Sequence, residues 1–365
     1  EDGSGLLKLR EDLEQECYAR VPPSCRGNVR FILTGEISTI YKKGEKTRKL
    51  HHVVFLPDFD TARRFAEKLG EVGTITSDGR PILGVDSRQI LELVLSMGNG
   101  SFLVPAHIWT PWFSLLGAKS GFDSVEECFG DLSGEIFALE TGLSSDPPMN
   151  WRLSSLDRFT LISNSDAHSP RKLARECNLF RCEPNFWAIR KALEDGKEFL
   201  GTIEFFPEEG KYHFNGHRSC GVRLSPSETR ETGGLCPVCG KPVTVGVMHR
   251  VEELADRALP IESPKGHIFE RLIPLEELLA EALGSGVGSR RVQNLYFRLL
   301  TEFGPELQVL RKADYKAVAE VAGVAIGEAI RRMRNGEVHI AAGYDGVFGS
   351  ISIFSEEERE GNFVQ

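Results

Sequence analysis

Short apolar runs alternate with helical patterns through about the first two hundred residues, and this alternation restricts the possible folds more than any other feature. Five runs have the length of strands: 29–39, 51–57, 101–108, 134–142 and 158–168. Helical patterns lie at 59–70 and 86–98. Alternation of this kind predicts an α/β fold with a largely parallel sheet. Functional residues of such folds gather where strands end.

The amino-acid composition of the chain changes after about residue 205, where Gly, Pro, Cys and His become frequent. From about residue 268 the pattern is mainly helical. We therefore predict three parts: an α/β domain over 1–205, a small metal-binding module over 206–262 and a mainly helical domain over 263–365.

Bulk properties exclude several classes of protein. No apolar run approaches the roughly 20 residues of a membrane helix, and the start EDGSGLLKLREDLE is too polar for a signal peptide. The net charge of −9 argues against a general nucleic-acid coat but allows a local basic channel. Without a signal, the scattered cysteines are expected to be free thiols, so we expect a cytoplasmic protein, without membrane partners and monomeric.

Histidine and carboxylate side chains recur at the ends of the apolar runs. They are Glu36, His51, His52, His107, Glu140, Asp166 and His168. Strand ends of an α/β fold meet at one edge, where such side chains could share metal ions. Mixed His, Asp and Glu sites suit Zn, Mn or Fe, and clusters of these metals activate water for phosphoester hydrolysis.

Two assignments in this set have alternatives. His51 and His52 must face opposite sides of a strand, and we favour His52, which adjoins the apolar part of the run. Asp166 could instead cap a helix beginning at Ser169–Pro170, which would explain it without a metal.

The ordered motifs GEI, HHVVF, PAHIW, ALETG and NSDAH resemble the polymerase-and-histidinol-phosphatase (PHP) family of metal-dependent phosphoesterases. The resemblance implies a distorted seven-stranded (β/α)7 barrel. It implies that five residues are barrel metal ligands: Glu36, His52, His107, Asp166 and His168. Glu140 matches an acidic position near that site, and we assign the catalytic role to Asp166, His168 and Glu140.

The chain departs from the family pattern at its start. PHP proteins open with an HxH pair on the first strand, and this chain has no histidine before His51. We expect the barrel to be incomplete at its N-terminal end, with the HxH segment lying outside the given sequence.

A second metal site is indicated by the spacing H-x2-C-x15-C-x2-C. Its members are His217, Cys220, Cys236 and Cys239. Two closely spaced pairs place their ligands on two tight turns, which suits tetrahedral zinc. A lone CxxC redox pair is disfavoured by the second pair upstream. His213 is the alternative to His217.

The zinc pattern behind a PHP-like domain, with HIWTPWFSLLGAKSGF and the tail AAGYDGVFGSI, resembles the endonuclease Q family over nearly the whole chain. The resemblance implies a DNA repair nuclease that cuts 5′ to deaminated bases (uracil, hypoxanthine, xanthine) or abasic sites. It implies DNA as partner, with a sliding clamp as a further candidate. The implied cofactors are structural zinc and an active-site metal, either Zn or Mg or Mn.

Candidate DNA contacts follow the metal motifs and the basic segments. They are Trp109, Pro111, Trp112, Ser169, Arg171, Lys172, Arg290 and Arg291. Aromatic side chains could hold a base taken out of the stack, and a helix start with basic side chains could bind phosphate. Core packing and solvated surface charge are the competing explanations.

Two other functions compete with the nuclease. A small-molecule phosphatase of the histidinol-phosphate type would use the same barrel, but gives the zinc module and helical domain no role. A non-catalytic DNA-binding protein becomes credible if the N-terminal ligands are truly absent. Nicking of lesion-containing DNA would decide between them.

Overall fold

The computed structural model of the protein describes residues 3–76 and 79–360. The chain divides into two compact units: unit 1 comprises 1–7, 30–269 and 342–349, and unit 2 comprises 8–29, 270–341 and 350–365. The three-part division therefore stays a prediction, with its first two parts falling mainly in unit 1. Within the described ranges, no helix has the length and apolarity needed to cross a membrane.

The fold mixes strands and helices, as the sequence predicts. The described strands are β1 (Leu33–Lys43), β2 (Lys46–Leu56), β3 (Ile82–Leu83), β4 (Phe102–Pro105), β5 (Ala138–Glu140), β6 (Thr160–Ile162), β7 (Cys177–Phe180), β8 (Phe199–Glu204), β9 (Asn215–His217), β10 (Val222–Leu224), β11 (Ile268–Arg271), β12 (His339–Ala341) and β13 (Ser350–Ser352). The described helices are α1 (Glu11–Arg20), α2 (Phe59–Val72), α3 (Ser87–Ser96), α4 (Val125–Phe129), α5 (Pro147–Asn150), α6 (Phe186–Asp195), α7 (Pro226–Glu231), α8 (Val247–Leu254), α9 (Leu275–Ala282), α10 (Arg290–Phe303), α11 (Glu306–Arg311), α12 (Tyr315–Ala322), α13 (Val324–Arg334) and α14 (Glu356–Glu360).

The largest sheet of unit 1 has the strand order β3-β1-β2-β4. Strands β1 and β2 form an antiparallel hairpin joined by Gly44 and Glu45, and β2 pairs antiparallel with β4. The expected largely parallel sheet is therefore wrong here, although β1 pairs parallel with β3 and β5 with β6. The missed signal is the KKGEK turn, in which Gly44 adopts a φ of 60°.

Helices α2 and α3 each begin at an aspartate that caps the helix. Asp58 accepts a hydrogen bond from the Thr61 backbone and caps α2. Asp86 caps α3 in a capping box with Gln89. Each cap fixes the first residue of its helix. It thereby helps to determine which side chains of the helix face the core.

The segment after Ser169 is not the helix that the sequence suggests. Only one 3-10 turn, Pro170–Lys172, follows, and the chain then enters β7, which pairs antiparallel with β8. The apolar stretch of this segment is only strand-length, so periodicity could not distinguish the two structures.

Two apolar clusters lie in unit 1 around the large sheet. The larger contains completely buried side chains from β2, α3, β4 and the following loop, including Leu50, Val54, Leu91 and Trp109. The smaller packs Phe55 on Phe102, whose rings stack at a centroid distance of 4.5 Å. The two faces of β2 thus both meet apolar material, and polar side chains on β2 occupy restricted positions.

Unit 2 is a helical assembly around α9, α10 and α13. Leu278, Val292 and Ile330 are completely buried in it. Helices α12 and α13 meet at Gly323, whose φ of 104° turns the chain between them. A Cβ at Gly327 would collide with the Tyr315 carbonyl, so close contact between these helices requires glycine there.

Candidate metal centre

Three side chains from the large sheet come together at one point of unit 1. Glu36 Oε1 lies 3.1 Å from His51 Nδ1 and 3.5 Å from His107 Nε2. The two imidazole nitrogens are 3.0 Å apart. Glu36 Oε1 is buried and has no aligned hydrogen bond. One carboxylate oxygen and two imidazole nitrogens thus converge as a divalent cation would require, and this group could hold a metal ion.

Strand register explains why His51, and not His52, joins Glu36. In the β1–β2 hairpin His51 pairs with Ser38, two residues from Glu36, so His51 and Glu36 share a face. His52 faces the apolar core, is 0% exposed, and lies 2.9 Å from Ser87 Oγ. We therefore correct the choice of His52 to His51. The apolar residues next to His52 in the sequence indicate that its side chain faces the core, and not that it binds metal.

The chain after β4 brings His107 to the same point. The Ala106 backbone N–H donates to the His51 carbonyl at 3.0 Å. His107 has a φ of 28°, and a Cβ at Gly142 would collide with the His107 Cβ. Gly142 therefore leaves the space that this strained histidine occupies.

The electrostatics of the group keep the carboxylate ionised. Burial alone would raise the pKa of Glu36, but His107, His51 and the positive charge of Arg80 hold that pKa far below its usual range. Burial lowers the pKa of His51. Burial alone would lower the pKa of His107, but its hydrogen bond to Glu36 and the charge of Glu140 raise it. An ionised Glu36 beside a neutral His51 has the protonation state that metal binding needs.

Arg80 occupies this centre although the sequence offered no signal for it. Its guanidinium lies 3.1 Å from Glu36 Oε2, and its NH1 lies 2.8 Å from both ring nitrogens of His51. The group therefore already attracts a cation in the structure.

Glu140, at the end of β5, contacts His107 and not the Glu36 carboxylate. Its Oε2 accepts from the His107 backbone N–H at 2.7 Å, and its Oε1 accepts from Asn164 at 2.7 Å. Burial raises the pKa of Glu140. Glu140 thus positions the histidine segment, and Asn164 is a site residue that the sequence analysis missed.

Asp166 and His168 lie outside the three-residue group. Both side chains are exposed, and the His168 Nδ1 lies 2.9 Å from the backbone carbonyl of Asp166. Asp166 has a φ of 44°, and Arg175 donates to the carbonyl of Ser165 at 2.8 Å. This hydrogen bond from Arg175 restrains the loop that carries Asp166 and His168.

The predicted four-residue cysteine and histidine group is assembled in unit 1. The ligand atoms of His217, Cys220, Cys236 and Cys239 all lie within 4.8 Å of one another. His213, the alternative to His217, is buried beside Phe214 and is not in the group. The geometry could hold a metal ion, and its donor set is typical of zinc.

Each cysteine turn of this group ends in a glycine with a positive φ. Gly221 follows Cys220 with a φ of 65°, and Gly240 follows Cys239 with a φ of 70°. Burial opposes ionisation of Cys236, but the backbone N–H groups of Cys239 and Val238 lower its pKa to about 7. A thiolate is the form that ligates metal.

The candidate DNA contacts are placed very differently from one another. Trp109 is 0% exposed and donates to Asn150 Oδ1 at 2.8 Å, so it belongs to the core and we withdraw it as a DNA contact. Pro111 is also buried, whereas Trp112 is 42% exposed. The sequence alone does not show whether an aromatic side chain is buried in the core or exposed at the surface, because that depends on how the chain packs.

The basic candidates lie on the surface. Ser169 and Arg171 are exposed and Lys172 is half-buried, on a turn too short for the expected helix-start anion site. Arg290 and Arg291 are exposed in the first turn of α10 in unit 2. Their positive charge there opposes the helix dipole, so these arginines are not placed for the stability of α10.

A buried carboxylate pair in unit 1 was also missed. Glu204 Oε2 accepts from Ser163 Oγ at 3.1 Å and from Thr141 Oγ1 at 3.3 Å. Burial raises the pKa of Glu204 to about 8, and burial together with Glu204 raises that of Glu176. An isolated glutamate in or beside a strand has no sequence pattern that would show that its side chain is buried.

Relatives and solved structures share much of this chain. Residues 274–337 match the family model of the MJ0043 C-terminal domain. The uncharacterised protein MJ0043 of Methanocaldococcus jannaschii is 33% identical over 253 residues, which cover 67% of this chain and 31% of that protein. The uncharacterised protein YqxK of Bacillus subtilis is 29% identical over 359 residues, which cover 95% of this chain and 85% of that protein.

Two solved structures match almost the whole chain. The lesion-specific endonuclease PfuEndoQ from Pyrococcus furiosus superposes with a TM-score of 0.77 and 31% identity over 98% of this chain and 89% of its own. Endonuclease Q bound to a 27-mer duplex with an abasic lesion at the active site gives a TM-score of 0.76 and 31% identity over 99% and 89%.

Fold and grouped side chains define an α/β protein with two potential metal-binding sites. The sequence identity of 31% with both solved structures, over nearly the whole chain, establishes the family and not only the fold. The chain belongs to the endonuclease Q family.

Proposed function

We propose that this protein is a DNA repair endonuclease that hydrolyses the phosphodiester 5′ to a deaminated base (uracil, hypoxanthine or xanthine) or an abasic site. The observation that carries the proposal is the match of nearly the whole chain to a lesion-specific endonuclease. A second solved relative binds a duplex with an abasic lesion. The seven-stranded PHP barrel expected from the sequence is part of this proposal.

The residues present fit a catalytic metal. Glu36, His51 and His107 offer an ionised carboxylate and two imidazoles at one point, and Glu36 Oε1 is buried without an aligned proton donor. A divalent metal supplies Lewis-acid polarisation of a phosphoryl oxygen and of water. Two imidazoles and one carboxylate suit Zn or Mn better than Mg, which prefers oxygen ligands, and metal analysis of the purified protein identifies the ion.

The residues around this centre have separate roles in the proposal. Glu140 orients the backbone of His107 through its hydrogen bond. Arg80 supplies a positive charge at Glu36 and can neutralise an incoming phosphate. Asp166 and His168 are exposed at the end of the β6 segment, where they can reach substrate or a further metal.

The cysteine and histidine group is proposed to bind structural zinc. Its buried apolar support consists of Leu224, Cys236 and Val243, which is too little to stabilise the segment alone. Zinc would hold the two glycine-ended turns together and so fix the surface that surrounds them.

The proposal is tested with end-labelled duplexes that each contain one uracil, hypoxanthine or abasic site, incubated with Mg²⁺, Mn²⁺ or Zn²⁺. We expect one nick 5′ to the lesion, none in the intact duplex, and loss of nicking in His51→Ala and Glu36→Gln. The exposed Glu71→Gln is the matched control and should cut normally. Turnover of a small phosphomonoester without any nicking would refute the nuclease.

A further inference from the structure

Four aromatic side chains of unit 1 extend from the candidate metal centre towards the loop 342–349, and two of them, Trp112 and Phe348, are exposed. The Phe113 ring lies 4.8 Å from the His51 ring, and the Phe113 carbonyl accepts from the His51 backbone N–H at 3.1 Å. Trp112 comes next in the chain, and its ring meets Tyr212 edge-to-face at 5.7 Å. The chain step between Phe113 and Trp112 thus joins the ring contact at His51 to the ring contact at Tyr212.

Tyr212 lies near the loop 342–349, which carries Phe348, because a Cβ built at Gly346 would lie 3.8 Å from the Tyr212 hydroxyl. This ring is 71% exposed. Backbone hydrogen bonds fix the loop on 208–211: Gly343 N to Glu208 O (2.8 Å), Gly349 N to Glu209 O (3.0 Å) and Gly346 N to Lys211 O (2.8 Å). Phe348 is therefore an apolar ring presented to solvent by a restrained backbone.

A cation accompanies this ring. Lys211 Nζ lies 5.2 Å from the centroid of the Phe348 ring, and Lys211 is exposed. Lys211 thus places a positive charge beside an exposed ring in a chain whose net charge is −9. A ring that stacks on bases beside a cation that meets phosphate is the arrangement used to bind unstacked nucleic acid.

We propose that Trp112, Tyr212, Lys211 and Phe348, here called the aromatic surface, bind the DNA bases that a lesion leaves unstacked. Phe348 stacks on one such base, and Lys211 contacts the adjacent phosphate. This inference rests on the proposed function, because it places the unstacked bases beside the centre that cuts the strand. A protein partner would not require the lysine at the ring, and its binding would not depend on the lesion.

The test measures affinity by fluorescence anisotropy for an abasic duplex and an intact duplex, without added divalent metal and over a range of salt concentrations. Phe348→Ala should weaken binding of the abasic duplex about tenfold and leave the salt slope unchanged, because stacking releases no counterions. Lys211→Ala should lower the salt slope by about one unit. Phe348→Tyr should keep the affinity, since it keeps the ring.

Phe59→Ala, which removes a ring of α2 that is 51% exposed, is the control and should bind as the unsubstituted chain does. If Phe348→Ala bound the abasic duplex as tightly as Phe59→Ala, the aromatic surface would be refuted, while nicking by the same protein would leave the proposed function standing. If the unsubstituted chain bound and cut no duplex, both proposals would fail.

Discussion

Neighbouring histidines on β2 should respond to substitution in opposite ways. His52 is fully buried, bonds Ser87 at 2.9 Å and lies 3.4 Å from Thr39 Oγ1. His52→Ala removes that hydrogen bond and leaves a cavity, for a combined cost of about 2–4 kcal/mol. For a unit of this size, 3 kcal/mol corresponds to a fall in Tm of roughly 6–12 °C.

His51→Ala should instead remove function. It deletes one of three convergent ligand atoms, so metal affinity should fall by more than the roughly 10–100-fold typical of losing a residue that only supports a ligand. Its stability cost should be about 1 kcal/mol, because Glu36 keeps His107 and Arg80 as partners.

The assay combines thermal unfolding by circular dichroism with metal titration by calorimetry on both variants. His52→Gln is the matched control, since an amide can still bond Ser87 and should recover part of the stability. Retention of Tm with loss of metal binding in His52→Ala, together with normal metal binding in His51→Ala, would refute the assignment of the two faces of β2.

Three further outcomes are expected. Cys239→Ser should lower bound zinc, measured by atomic absorption, and make the 217–243 segment sensitive to protease, because its small apolar cluster gives it little support. Burial raises the pKa of Glu204 to about 8, so the folded state holds a proton that the unfolded state has lost. The contribution of Glu204 to stability, measured by urea unfolding as the difference between the unsubstituted chain and Glu204→Gln, should therefore be largest near pH 4.5 and fall towards pH 8. Replacing Arg290 and Arg291 by alanine should lower the salt slope of DNA binding by about two units without loss of stability, whereas Arg332→Ala should destabilise unit 2, because Arg332 pairs with Glu358 at 2.7 Å.

The cysteine site was predictable because its information is local. Spacing within H-x2-C and C-x2-C sets each ligand pair on one turn, and the glycines that follow adopt the positive φ that such turns require. Only the approach of the two turns depends on the rest of the fold, and that approach places His217, and not His213, beside the three cysteines.

The sequence indicated which residues at strand ends could bind metal, but not which of them lie together in the structure. Glu36 and His107 meet as expected, whereas Asp166 and His168 stand apart from them as exposed side chains. Arg80 enters the centre from a short loop before β3, and a lone arginine in a loop has no pattern that would reveal this.

Local chemistry in the sequence thus determined which residue types could bind metal, how the cysteine ligands are paired on two turns, and that strands and helices alternate. The tertiary structure decided which of two adjacent histidines faces Glu36, which tryptophan is core and which is surface, and that β1 and β2 form a hairpin. The physical reason is that a strand exposes successive side chains to opposite faces, and a face becomes core or cleft only when distant segments pack against it.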